Sequence, residues 1–394
     1  MAFALAAHAA DEAVLALALR AQTDFHKVEA AAVPATPDLM RCVQTQAAVL
    51  PVARPPEAPL IHFRKGYCEL LNGENRAAAH DFARALAEWD YRSPEPVSAG
   101  LLALSSIARL RSGSASAEEL SGIRAGLERA DTGAVCLSNL MTPSRCRELV
   151  DTGRLWAGWL ALERGELNTA GRYFAAFSQS AWRWWTAGLQ ALQEKRYSQA
   201  AGLLRKAVET WRNDERHPQA GMAALLGPKP DLPAAVFQLA GAGYLAGEYE
   251  AAAADAGAAI KADPGNAGAL FLRGRAREAL GQAEAALADY QLASRLAFAH
   301  PDRPQANAQA HYYRGVWLFL RKSYSQAEDE FVAALNNGAG PLVPDLTAWR
   351  YTAAVAGGAC QASAANLEQA LPAASPLAPK DEARRLLQAC QARL

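Results

Sequence analysis

The small and apolar positions of this chain recur at intervals that predict pairs of helices joined by tight turns. The clearest case is the stretch 233–300, where Gly247, Ala252 and Ala259 return 34 residues later as Gly281, Ala286 and Ala293. Asp263-Pro264 closes the second helix of the first of these two units. Six units carry the pattern. The first has Gly66, Gly73, Ala78, Phe82 and Ala85, the next Gly158, Gly165, Ala170 and Phe174, and the third Trp184, Gly188, Ala200 and Ala207. The fourth and fifth are the pair at 233–300, with Ala240 and Gly274 as their tight first-helix residues and Tyr290 as the aromatic of the fifth. The sixth has Gly315, Ala327, Phe331 and Ala334. In every unit the tight residue precedes the second-helix alanine by 12 positions, from Gly66 and Ala78 to Gly315 and Ala327. A small residue in the first helix lets the second approach closely, and an aromatic fills the gap to the next unit. No such unit buries its apolar face alone, so neighbours must stack.

These residues resemble the tetratricopeptide family, whose repeat is a helix-turn-helix of about 34 residues with small residues where the helices touch. The resemblance implies an all-α fold, an α-solenoid in which antiparallel helix pairs stack into a right-handed superhelix. It also implies that the first helices of successive units line a concave surface.

Around the repeats the pattern changes. Residues 1–10 (MAFALAAHAA) read either as the back end of a signal peptide, with Ala7-His8-Ala9 as a cleavage site but no basic front end, or as the first turns of an Ala-rich helix. Residues 11–57 hold one helical pair, broken near Pro34, and a Pro-rich link; Pro51 to Pro59 reads as rigid and extended. Residues 58–150 hold the first unit, a degenerate helical pair over 98–130 with Gly113 as its turn, and a loop over 131–150. Residues 151–343 are the array proper, with insertions at 211–232 and 300–307. Residues 344–394 comprise a decayed unit and a capping helix entered through Pro379.

Composition narrows the function classes. The 394 residues are 51% hydrophobic and 20% charged, an ordinary globular balance. Lys+Arg and Asp+Glu both number 40. Zero net charge argues against nucleic-acid binding, which needs basic surface to displace counterions, and against a polybasic membrane anchor. No apolar run approaches the roughly 20 residues of a membrane helix. The six cysteines fall into the couples Cys42 and Cys68, Cys136 and Cys146, Cys360 and Cys390. An even count in couples suits disulfides in a periplasmic or secreted protein; the alternative is buried free thiols in a cytoplasmic one.

Chemistry is sparse. No phosphate-cradling GxxxxGK[ST], no GxSxG elbow and no HExxH is present, so neither a cofactor nor a metal is implied. His62 and His311 both sit early in a first helix and read as ligand-facing imidazoles or as amphipathic packers. Glu328-Asp329-Glu330 reads as a solvated face. An enzyme with its site in the loops 131–150 or 211–232 would need a nucleophile, a base and an orienting group there, and the sequence supplies no such set.

The concave face is the informative feature. Counting three back and one or four forward from each tight residue, with Trp182 on the same helical stripe, gives Phe63, Tyr67, Trp159, Trp182, Trp185, Phe237, Tyr244, Phe271, Tyr312 and Phe319. Chaperone-type members of the family grip an acidic C-terminus with Lys, Asn and Arg at these positions, and this sequence lacks that set. Trp184 is assigned to the core. An aromatic groove suits a protein partner offering an amphipathic helix or an extended peptide with apolar anchors, making the chain a non-catalytic scaffold. The same rings would equally serve as stacking platforms for a small ligand or a glycan. Against both stands self-packing, with the rings covered by adjacent units, by the 211–232 insertion or by the N-terminal pair.

Overall fold

The computed structural model describes residues 2–53, 57–89, 95–113, 122–123, 142–177, 180–216, 222–297 and 304–392; for 2–12, 95–100, 143, 146, 222–223 and 304–306 it describes the backbone alone. All regular structure among the described residues is helical. The chain divides into two compact units, 1–186 with 212–229 and 187–211 with 230–394.

In the first unit, α1 (Ala2–Ala30) and α2 (Thr36–Val49) form the N-terminal pair. The first repeat is α3 (Ala58–Leu71) and α4 (Asn75–Glu88). Then come α5 (Glu95–Arg111), α6 (Pro143–Glu163) and α7 (Leu167–Phe174). Each helix packs on the next in chain order. Their shared core contains Phe25, Phe63, Tyr67, Phe82, Leu104 and Trp156. The helices α8 (Ala181–Gln193) and α9 (Tyr197–Arg216) make the third repeat, and the short α10 (Met222–Leu226) returns to the first unit.

The second unit continues with α11 (Leu232–Leu245), α12 (Tyr249–Ala262), α13 (Ala267–Ala279), α14 (Ala283–Ala297), α15 (Pro304–Leu320) and α16 (Tyr324–Asn336). It ends with α17 (Val343–Ala356), α18 (Cys360–Ala370) and α19 (Lys380–Gln391). From α11 to α18 each helix packs on the next, and α19 covers both α17 and α18.

One geometry repeats through the array. Seven residues after each tight residue the backbone turns left-handed, at Gly73, Gly165, Lys195, Gly247, Gly281 and Lys322. The amides there cap the first helix: Gly281 N donates to Glu278 O at 2.9 Å and Gln282 N to Arg277 O at 2.8 Å. Sixteen residues after the tight position comes the second-helix side chain that faces it. A Cβ on Gly66, Gly158, Gly188, Gly274 or Gly315 would meet Phe82, Phe174, Leu204, Tyr290 or Phe331 at 3.1, 2.6, 2.7, 2.7 and 2.6 Å. The fourth repeat uses another solution to the same contact, with Ala240 and Ala256 both fully buried in one cluster.

Several boundaries differ from expectation. The extended link before the first repeat starts instead as a 3-10 turn over Leu50–Val52. The loop expected over 131–150 ends sooner, because α6 begins at Pro143, whose fixed φ suits a first helical turn. The 211–232 insertion begins as helix, since α9 runs to Arg216, and the 300–307 insertion is helical from Pro304. Cys136, most of the second half of the pair at 98–130, and the Cys146 side chain lie outside the described residues.

Candidate functional site

The ring stripe is mostly interior. In the first unit Phe63 and Tyr67 are buried. Phe25 of α1 closes over both, with ring centroids 6.1 and 5.8 Å away. Trp185 is buried too. Trp159 is partly buried and lies edge-on to Trp156 at 5.3 Å. Trp182 is partly buried and stacks on Phe174 at 5.9 Å. Trp184, expected in the core, is only half-buried and carries the Arg183 guanidinium 5.7 Å above its ring.

In the second unit Tyr244, Phe271, Tyr312 and Phe319 are buried, and Phe237 alone of the five keeps a partly open surface. The buried rings form a chain across successive repeats. Phe271 touches Tyr290, Tyr312 and Tyr313 at 5.3, 4.9 and 4.5 Å. Phe331 stacks on Trp349 at 5.7 Å, and Trp349 meets Phe319 edge-on at 5.3 Å. The expectation of ten rings walling a groove is therefore corrected at Phe63, Tyr67, Trp185, Tyr244, Phe271, Tyr312 and Phe319. The reason is stacking of neighbouring pairs: Phe25 of the preceding pair closes over Phe63 and Tyr67, and Tyr312 and Tyr313 of the following one over Phe271. Trp159, Trp182 and Phe237 remain reachable in part.

Two further side chains complete this seam, one that sequence counting did not reach and one that it reached but that is not a ring. Trp349 lies fully buried in α17, where no tight glycine marks the frame for counting. Arg275 is buried at the position one after Gly274. Its Nη1 donates to Glu278 Oε2 at 2.6 Å, and its guanidinium lies 5.6 Å from the Trp349 ring centre. The Tyr290 hydroxyl donates to the same Glu278 oxygen at 2.7 Å, and burial pushes the Tyr290 phenol well above its ordinary pKa.

A second arrangement joins the two helices within repeats. The residue before the tight glycine is a cation, and its partner is a carboxylate 15 positions after the glycine. Lys65 meets Asp81 at 2.5 Å, Arg273 grips Asp289 at 2.7 and 2.9 Å, and Arg314 meets Glu330 at 3.3 Å. Two repeats add a histidine at the same place. His62 Nδ1 donates to Asp81 at 2.6 Å and His311 Nδ1 to Glu330 at 2.7 Å. Both histidines thus brace their own repeat. Glu330 is not on a purely solvated face, and Glu328 also pairs, with Arg350 at 3.6 Å.

In the first repeat Lys65 also binds Glu69 at 2.5 Å, so one ammonium serves two carboxylates. Burial raises the Glu69 carboxyl to about 7, and its Oε2 has no hydrogen-bond partner. For Asp81 burial acts upward as well, but hydrogen bonds, that from Lys65 foremost, hold its pKa below the ordinary value. Together with His62, these side chains tie α3 to α4.

A polar pocket of about 450 Å3 lies between the end of α1 and the start of α6, lined by Glu29, Thr142, Ser144, Arg145 and Glu148. Its polar groups already serve each other. The Glu29 carboxylate accepts from Thr142 N and Oγ1 at 2.9 and 2.7 Å. Arg145 donates to the Glu29 carbonyl at 2.9 Å and to that of Ala31. Among the described residues no group of three or more His, Cys, Asp and Glu side chains is placed to hold a metal, and no helix is long and apolar enough to cross a membrane.

The constant seven-residue step from tight residue to left-handed turn and the sixteen-residue step to the facing side chain decide the architecture. The fold is that of a tetratricopeptide-like solenoid. No protein-family model matches the sequence, and no curated protein matches it. Solved structures do. The C-terminal part of a TPR repeat-containing protein from Cytophaga hutchinsonii is similar at 12% identity over 70% of this chain and 94% of that one, with a TM-score of 0.41. A tetratricopeptide repeat protein from Parabacteroides merdae is similar at 16% identity over 73% and 96%, with a TM-score of 0.39. Yeast Tom70 is similar at 12% identity over 91% and 86%, with a TM-score of 0.36.

Two of the three cysteine couples lie within the described residues. Cys42 and Cys68 form a disulfide joining α2 to α3, with Cα atoms 6.2 Å apart, and Cys360 and Cys390 form one joining α18 to α19, with Cα atoms 5.8 Å apart.

Proposed function

We propose that this chain is a non-catalytic scaffold that binds a protein partner through apolar side chains on its first helices. One observation carries the reading. The repeat geometry holds across six helix pairs, while the polar groups lining the pocket between α1 and α6 bond to one another. A stacked array offers many first-helix faces at fixed spacing, and peptide or helix docking is the use such faces serve. The contact side chains are Trp159 and Trp182 in the first unit and Phe237 in the second, the three rings that keep accessible surface. A ligand-stacking role for the stripe has less support, because most of its rings are buried. The two disulfides support a periplasmic or secreted location.

The test uses Trp182→Ala and Phe237→Ala in the full chain, with cross-linked capture from the native extract and circular dichroism as the folding control. The partner held by the native chain is expected to be lost from the variants. Capture of the same partner at equal yield by folded variants rejects the reading.

A further inference from the structure

The first unit already holds a short helix, and it does so through that helix's backbone. The helix α10 is five residues long, too short to persist alone in water. Leu226 is buried and Leu225 partly buried in the core that contains Ile107, Trp156 and Trp159. The last carbonyls of a helix have no donors of their own. Here two side chains supply them. Arg111 Nη1 donates to the Leu225 carbonyl at 3.0 Å, and Trp156 Nε1 to that of Leu226 at 2.8 Å. Arg111 is held ready by Asn75, which accepts from its Nε at 3.2 Å and donates to its carbonyl at 3.3 Å. Gly227, Pro228 and Pro230 then end the segment.

Two apolar side chains in a core and two donors aimed at main-chain carbonyls form a receptor for a helix end. It reads the leucines by shape and the carbonyls without regard to sequence. We propose that α5 and α6 form a helix-binding groove that α10 fills in the resting chain. The partner is a short apolar helix ending in two leucine-like residues, whose carbonyls take the same donors of Arg111 and Trp156. This deepens the scaffold reading and rests on it. A tethered occupant competes with any free one, so the apparent affinity for the partner is set by the fraction of time α10 is undocked.

The probe is a labelled peptide with the sequence of residues 222–229, followed by fluorescence anisotropy. Titrated into the full chain carrying Leu225→Ala and Leu226→Ala, it is expected to bind at least tenfold more tightly than to the native chain. Adding Arg111→Met should remove that gain. Equal weak binding to native and double-variant chains of unchanged helicity overturns the proposal. Should the double variant not fold, hydrogen exchange on the native chain decides. Amides of 224–229 exchanging at least tenfold faster than those of α6 support a separable occupant, and equal protection overturns it. The Trp182 and Phe237 capture experiment does not involve this groove, so failure of the groove and failure of the scaffold reading are distinguishable.

Discussion

A Cβ atom added to Gly274 would lie 2.7 Å from Cε1 of Tyr290, closer than the two atoms can approach, so the α13–α14 contact exists only because residue 274 has no side chain. The hydroxyl of that tyrosine is tied to Glu278, so the ring cannot simply swing away. Gly274→Ala is expected to destabilise the fifth repeat by about 1–3 kcal/mol, the usual cost of overpacking. Ala256→Phe should do the same in the fourth repeat, where Ala240 leaves no room for a ring. Urea unfolding together with hydrogen exchange over α13 and α14 checks the first, since a repeat array need not unfold in one step.

Lys195 and Lys322 occupy the left-handed turn that glycine fills in the other four repeats, with φ of 59° and 64°. A Cβ in this region strains the backbone by about 1 kcal/mol. Lys195→Gly and Lys322→Gly are therefore expected to stabilise the chain by up to roughly 1 kcal/mol each, less the extra freedom glycine gives the unfolded state. Thermal melts of the two variants and their combination measure this. A loss of stability in both would show the strain to be absent.

Stability should fall as pH rises from about 5 to 8. The Glu69 carboxyl is lifted to about 7 in the folded chain, above the 4.5 of an exposed glutamate. A raised acid binds its proton more tightly when folded, so its contribution is fully present below about 4.5 and is lost as pH passes through about 7. Asp81 acts in the opposite sense at acid pH, since its pKa is depressed and its contribution disappears as pH falls through that lowered value. Glu69→Gln mimics the protonated acid and should flatten the neutral-pH slope, a change in Tm on the order of a few degrees. An unchanged slope in the variant would assign the effect elsewhere.

Non-reducing peptide mapping should find Cys42 linked to Cys68 and Cys360 linked to Cys390. The closed loops span separations of 26 and 30 residues. Cys42→Ser/Cys68→Ser and Cys360→Ser/Cys390→Ser are each expected to cost about 3–4 kcal/mol by the loop-entropy account. One bridge ties α2 to α3 and the other α18 to α19, so exchange should rise in α2 and in α19. Quantitative alkylation of these four cysteines without reductant would refute the bridges.

The helical repeat was legible in the sequence because it is a local property. A small residue 12 positions before an alanine, repeated six times, states that two helices touch, and that contact involves only side chains within one unit. Two of the three cysteine couples, Cys42 with Cys68 and Cys360 with Cys390, likewise join neighbouring elements. Exposure of the ring stripe was not legible. Whether Phe271 faces solvent depends on Tyr312 and Tyr313, more than 40 residues on, and whether Phe63 does depends on Phe25 in a helix that carries no repeat signature. The 211–232 insertion stood among the possible covers of the stripe, but which surface Leu225 and Leu226 meet was not legible, since nothing local to an insertion tells that. Pattern along the chain determined which helices pair, because pairing is short-range; the folded chain alone decided which of their faces stay open, because burial sums contributions from segments far apart in sequence.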